Sequence, residues 1–214
     1  QNPRLSCVNN PAAGDEGAVE FAALTRAPVH YRVMVAGGGP AGLEAARVAA
    51  QRGHAVTICE RSDRLGGALR LAANAPGRER LALAVDWLET QVRGLNLTIR
   101  TGVEVTPALV RDEQPDAVIV AVGGRPGSLS RVTFTNGTRV LTPRQILNGD
   151  APETGGKVVV LDAIGDHVGM EVAEWLADHG WQVEVVTSDM FVGQRLTASL
   201  ELTPWNQRAA AKAI

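Results

Sequence analysis

Short β-branched runs alternate with longer stretches of helical period along this chain. From Tyr31 the run YRVMVA predicts a strand, LEAARVAAQR behind it spaces leucine, alanine and valine as a helix does, and AVTICE, after a turn at Gly53 and His54, predicts a second strand. Together they make one βαβ unit of about 30 residues, whose right-handed crossover puts both strands in one parallel sheet. Residues 79–93 predict a further helix, residues 95–105 a strand, and residues 115–124 a strand apolar on both faces, as in the interior of a parallel sheet. A Gly-, Pro- and Thr-rich connector follows from Gly124 to Gly156, with a hairpin expected around Asn136 and Gly137. The pattern then restarts with KVVVLD, GMEVAEWLADHG and WQVEVVTS as strand, helix and strand.

A shift of 127 positions carries Gly42 onto Gly169, Glu44 onto Glu171, Gly53 onto Gly180 and Val56 onto Val183, so the chain contains the same unit twice. The last 24 residues, from Phe191, are too few to complete a further domain. Three segments are expected: an irregular lead-in at residues 1–30, a dinucleotide-binding domain at residues 31–152, and a partial domain of the same kind at residues 153–214.

Composition narrows the function classes. With 45% apolar residues the chain can bury a core, and 21 basic against 23 acidic residues leave no excess charge to attract nucleic acid. No apolar run approaches the roughly 20 residues needed to span a bilayer, and no basic-then-apolar leader opens the chain, so a soluble, cytoplasmic protein is expected. Two cysteines, Cys7 and Cys59, exclude a disulfide framework. A chain that starts at Gln1 and ends on AAAKAI is expected to be a piece of something longer.

The candidate chemistry lies in VMVAGGGPAGLEAARVAAQRGHAVTICER. In Gly37-x-Gly39-x-x-Gly42 the first glycine permits a tight strand-to-helix turn, the second lets backbone approach a pyrophosphate, and the third lets helix and strand pack closely. The helix opening at Pro40 and Ala41 aims its amides and positive dipole end at the phosphates. Glu60, 21 residues beyond Gly39, ends the second strand, where its carboxylate accepts from ribose hydroxyls and repels a 2′-phosphate. FAD, ADP or NAD is therefore favoured over NADP. The expected fold class is α/β: a doubly wound parallel sheet, Rossmann-like, with a second, partial Rossmann-like unit. That second unit puts Ile164, Asp166 and Thr187 where the first has Gly37, Gly39 and Glu60; Asp166 would aim negative charge at the pyrophosphate's place.

Two further stretches carry a resemblance. Arg64-Leu65-Gly66-Gly67-Ala68-Leu69 and the strand end Ala121-Val122-Gly123-Gly124 resemble the flavoproteins with two dinucleotide-binding domains, of the glutathione reductase kind. The resemblance implies FAD in the first unit, with Arg61 flanking adenine and ribose, Gly67 and Leu69 approaching the pyrophosphate, Val105 offering backbone to the adenine, and Ala121, Val122 and Gly123 passing beside the cofactor. Val122 replaces the usual threonine. Cys7 in SCVNNPAAGDE, and LTPWNQR at residues 202–208, are similar to the trimethylamine dehydrogenase and 2,4-dienoyl-CoA reductase family. Those enzymes join an FMN-bearing barrel related to old yellow enzyme to a nucleotide-binding half.

By this resemblance Cys7 is the last of four 4Fe-4S ligands, while the FMN, the barrel and the other three ligands belong to a full-length parent. The degenerate second unit favours the amine-dehydrogenase and N-demethylase branch, where ADP can take the place of FAD. The function implied is that of the FAD/NAD(P)-binding portion of a flavin- and iron–sulfur-dependent oxidoreductase. An ADP-binding structural module and a fragment of an NAD(P)H-dependent enoate reductase stay open, as does a homo-oligomer. No catalytic acid or base is identified: His54 and His179 read as solvent-facing turn residues, and His30 and His167 lack a partner at a catalytic spacing.

Overall fold

The computed structural model describes residues 7, 10, 13, 14, 16, 17, 24–125, 127, 132, 133, 135, 137–150 and 156–214. Its contacts divide the chain into two units, Gln1–Arg70 with Leu81–Gly124, and Leu71–Arg80 with Arg125–Ile214.

The first unit is a four-stranded parallel sheet in the order β3-β2-β1-β4, formed by β1 (Arg32–Ala36), β2 (Ala55–Glu60), β3 (Thr98–Thr101) and β4 (Ala117–Val120). Helix α1 (Pro40–Gln51) crosses from β1 to β2, with Pro40 fixing its first turn. Its Leu43, Ala46 and Ala49, one turn apart, bury against Val33, Val35, Val56 and Ile58. Gly53, at φ +93°, ends the helix: its amide bonds Ala50 O at 2.9 Å and the next amide bonds Ala49 O at 3.1 Å. Beyond α2 (Gly67–Ala72), helix α3 (Leu81–Arg93) packs on α1, and Arg47 lies over the Trp87 ring at 5.7 Å. Helix α4 (Pro107–Glu113) is capped by Thr106, whose hydroxyl accepts from Leu109 N at 3.2 Å.

The second unit holds β5 (Lys157–Asp162) and β6 (Gln182–Thr187), paired in parallel, with α6 (His167–Asp178) between them. The 127-residue shift maps α1 onto α6 and β2 onto β6 end to end (40 to 167, 51 to 178, 55 to 182, 60 to 187). Helix α5 (Pro143–Leu147) opens on a capping box of Thr142 and Gln145, and its Ile146 and Leu147 join Val172, Ala173 and Leu176 of α6 in one core. That packing, together with Ala75, is why the units divide after Gly124, whereas the sequence pattern divides the chain at residue 152. Helix α7 (Leu202–Ala211) adds Trp205 and Ala209 to a second core with Met170 and Leu196.

Several expectations are corrected. The strand expected at residues 115–124 is short, and its two faces are not buried: β4 pairs only with β1, Val120 is 73% exposed, and Ile119 alone packs inward. The strand expected at residues 95–105 stops at Thr101, because the Gly102 and Val103 amides turn back to Ser62 O and Glu60 O, each at 2.9 Å. The hairpin expected around Asn136 and Gly137 falls partly outside the described residues, Asn136 among them; those described show Thr138 N on Thr135 O at 3.1 Å, with Gly137 at φ +89°. His54 is half-buried, accepting from Tyr31 N at 3.2 Å and stacking on Tyr31.

Candidate nucleotide-binding site

The turn from β1 into α1 uses its glycines for different reasons. Gly37, at φ +111°, sits so that a Cβ would lie 2.3 Å from Ala121 O, and a Cβ on Gly42 would lie 1.9 Å from Gly37 O. Backbone packing alone therefore demands glycine at both. At Gly39 the nearest atom to a built Cβ is the Gly67 Cα, at 4.0 Å. Space is open there, so only something arriving from outside would require glycine. Gly39 is also the N-cap of α1, no side chain caps the helix, and the first-turn amides at Ala41 and Gly42 follow it. A fourth glycine, Gly38, was not singled out from the sequence, although the unbroken GGG signals it. A Cβ there would meet Leu65 Cδ2 at 2.5 Å and Glu60 Cβ at 3.1 Å.

Gly38 matters through Glu60. This carboxylate at the end of β2 is 8% exposed; its Oε2 accepts from Gly38 N at 2.7 Å, and its Oε1 accepts from Ser62 N at 2.9 Å and Ser62 Oγ at 2.5 Å. Burial alone would raise its pKa, but the Ser62 hydroxyl and amide, the Gly38 amide and the Arg61 charge outweigh it and hold the group below its ordinary 4.5. The Gly66-Gly67 turn closes on the same loop: Gly66 N donates to Gly38 O at 2.8 Å, and a Cβ on Gly67 would meet Gly39 Cα at 3.1 Å. Ala121 completes the group, its amide on Ala36 O at 2.8 Å.

Gly37, Gly39, Gly42, Glu60, Gly67 and Ala121 thus come together, with Gly38, Ser62 and Leu65 added. Pro40 and Ala41 form the helix's first turn. Arg61 is exposed beside Glu60, Leu69 is half-buried on α2, Val105 lies half-buried beyond β3, Val122 is exposed, and Gly123 turns at φ +73°. Among the described residues no hydrogen bond ties Leu69, Val105 or Val122 to the loop.

Unspent helix amides, open space over Gly39 and an ionised carboxylate held near the turn fit a diphosphate esterified to a ribose. A depression of about 520 Å³ lies at the other ends of β1 and β2, lined by Arg32, His54, Thr98 and Glu113, and holds no helix N-terminus. The described residues include no group of three or more His, Cys, Asp or Glu side chains able to hold a metal. Cys7 is exposed, and Cys59, the other of the chain's two cysteines, is buried at the end of β2, where burial pushes its thiol pKa up. Four thiolates for an iron–sulfur cluster cannot come from this chain alone.

In the second unit the equivalent turn is filled from within. Asp162, 5% exposed at the end of β5, accepts from Ile164 N at 3.1 Å and from Gly165 N at 3.0 and 3.1 Å. The surviving third glycine serves this carboxylate: a Cβ on Gly169 would lie 2.9 Å from the Asp162 Cγ. A Cβ on Gly165 would meet Asp189 Oδ2 at 2.1 Å. Asp166 caps α6 through His167 N at 2.7 Å, so the charge on the turn's amides is that of Asp162, which sequence reasoning passed over as a strand end. His167, for which the sequence shows no partner at a catalytic spacing, lies with Arg78 Nη2 at 2.6 Å and Glu201 Oε2 at 3.2 Å from its Nδ1.

The family of pyridine nucleotide-disulphide oxidoreductases matches residues 31–202. An N,N-dimethylglycine/sarcosine dehydrogenase of Chromohalobacter salexigens is 38% identical over 195 residues, 87% of this chain and 28% of that protein. A probable N-methylproline demethylase of Rhizobium meliloti is 35% identical over 199 residues, 93% of this chain and 29% of that one. The structure of histamine dehydrogenase from Rhizobium sp. 4-9 superposes with a TM-score of 0.86 at 28% identity, covering 97% of this chain and 34% of the other. The chain spans under a third of the length of the curated relatives it matches. With its crossover loop, its paired units and these relatives, the chain belongs to the pyridine nucleotide-disulphide oxidoreductases, in the trimethylamine dehydrogenase and 2,4-dienoyl-CoA reductase group of flavoproteins.

Proposed function

We propose that the first unit holds the adenosine diphosphate half of FAD, or ADP in its place, and that the chain is the nucleotide-binding portion of a cytoplasmic amine dehydrogenase or N-demethylase. The observation that carries this reading is the open approach over Gly39, beside uncapped helix amides and the fixed carboxylate of Glu60. Pyrophosphate lies over the amides from Gly39 to Gly42, the ribose meets Glu60, Arg61 flanks the adenine, and Gly67, Leu69, Val105, Ala121, Val122 and Gly123 line the remainder. The protein's part is to bind and orient; the redox chemistry is the flavin's own.

Two observations favour the amine branch over an NAD(P)H-dependent enoate reductase. Asp166 puts a carboxylate on the His167 amide at the N-terminus of α6, where the pyrophosphate of a nicotinamide dinucleotide would lie in the second unit, and two of the relatives are named for N-methylated amines. Within a longer polypeptide, Cys7 supplies the last thiolate of a 4Fe-4S cluster, and an FMN-bearing barrel supplies the substrate chemistry. The absorption spectrum of the purified chain, with its bound nucleotide released by denaturation and identified, tests the cofactor. Visible flavin bands with released FAD support the FAD form, and released ADP without those bands supports the ADP form. Absence of bound FAD and of bound ADP, even after either nucleotide is added, rejects the reading.

A further inference from the structure

Glu60 is a flexible side chain that must present its carboxylate in one orientation to receive a ribose, and the structure shows what fixes it. Oε2 is held by one amide, Gly38 N. Oε1 takes two bonds from a single residue, Ser62, through its amide at 2.9 Å and its hydroxyl at 2.5 Å. The hydroxyl has a second acceptor, Arg64 O at 3.1 Å, but only one proton, and the shorter, charge-assisted bond to Glu60 takes it. Ser62 is itself anchored, since Gly102 N donates to Ser62 O at 2.9 Å. The turn after β2 therefore acts as a bracket on the carboxylate, tied to the end of β3.

We infer that Ser62 is a positioning residue for nucleotide binding: its hydroxyl and amide saturate Oε1 and fix the orientation of the Glu60 carboxylate, with the remaining acceptor capacity of Oε2 left for the ribose. Preorganising the carboxylate before the ligand arrives spares the cost of ordering it on binding. This inference rests on the adenine-nucleotide reading above. Ser62 is exposed, so its replacement leaves the core untouched.

The experiment is a calorimetric titration of the full chain and its Ser62→Ala and Ser62→Thr variants with ADP and with 2′,3′-dideoxy-ADP, repeated across acid pH. Ser62→Ala is expected to bind ADP about tenfold more weakly, as loss of a charge-assisted hydrogen bond implies. Its affinity for dideoxy-ADP, which has no hydroxyl for Glu60, is expected to stay at the wild-type value, and Ser62→Thr is expected to restore ADP binding. The acid limb of ADP binding should move to higher pH in Ser62→Ala, where Glu60 protonates sooner. Unchanged ADP affinity in Ser62→Ala overturns the inference, and so does an equal loss for both ligands, which would mark a merely structural role. A wild-type chain that binds no ADP overturns the nucleotide reading itself, a result distinguishable from the other two.

Discussion

At the scale of single residues, the glycine motif separates into positions the fold requires and one the ligand requires. Gly42→Ala puts a methyl group 1.9 Å from Gly37 O, so it should cost about 1–3 kcal/mol, measured by urea denaturation, whether or not nucleotide is present. Gly39→Ala has room for its methyl and should leave the denaturation midpoint of the free chain in place while weakening ADP binding about tenfold or more by calorimetry. Glu60 adds a pH dependence whose sign follows from its lowered pKa. Its contribution to stability is fully present above the ordinary carboxyl value of 4.5 and is lost as pH falls through the lower folded value. Urea titrations from about pH 6 down to pH 3 should show a steeper loss for wild type than for Glu60→Gln. Parallel curves would contradict the bonding described for Glu60. The motif's outline was legible because Gly37, Gly39, Gly42 and Glu60 are fixed in spacing by strand and helix geometry. Ser62 and Asp162 were not legible, since their roles depend on which amides a turn brings to a carboxylate.

At the scale of elements, α6 and α7 are joined by an ion pair that periodicity could not reveal. Glu174, 1% exposed, accepts from Arg208 Nε at 2.8 Å and Nη2 at 3.1 Å, with Lys212 Nζ at 3.5 Å. Removing a partner from a buried charge destabilises strongly, though Lys212 remains close and Arg208 is half-exposed. Arg208→Ala should therefore cost about 1–3 kcal/mol by chemical denaturation, with ADP binding unchanged. The strongly periodic segments were read from sequence to within a few residues, since β5 and β6 alternate more and less exposed side chains and β2 is largely buried beside a helix. The shorter helices α2, α4, α5 and α7 went unread, because five to ten residues with local caps such as Thr106 and Thr142 leave little period to detect. Strand β4 was misread in burial: its composition is that of an interior strand, but in this chain it is an edge.

At the scale of the whole chain, one βαβ design serves twice with opposite outcomes. In the first unit Glu60 takes the Gly38 amide and the N-terminus of α1 carries no side-chain cap; in the second, Asp162 takes the equivalent Gly165 amide and Asp166 also caps the N-terminus of α6 through His167 N. No helix among the described residues is long and apolar enough to cross a membrane. The chain is therefore expected to take up one adenine nucleotide and no second. The direct measurement is the stoichiometry and selectivity of ADP binding to the full chain by isothermal titration calorimetry. One ADP per chain, with 2′-phospho-ADP, which keeps the 5′-diphosphate, bound far more weakly because its 2′-phosphate faces Glu60, is the predicted result. Absence of saturable ADP binding, or ADP binding that survives Gly39→Val and Glu60→Ala unchanged, would contradict it.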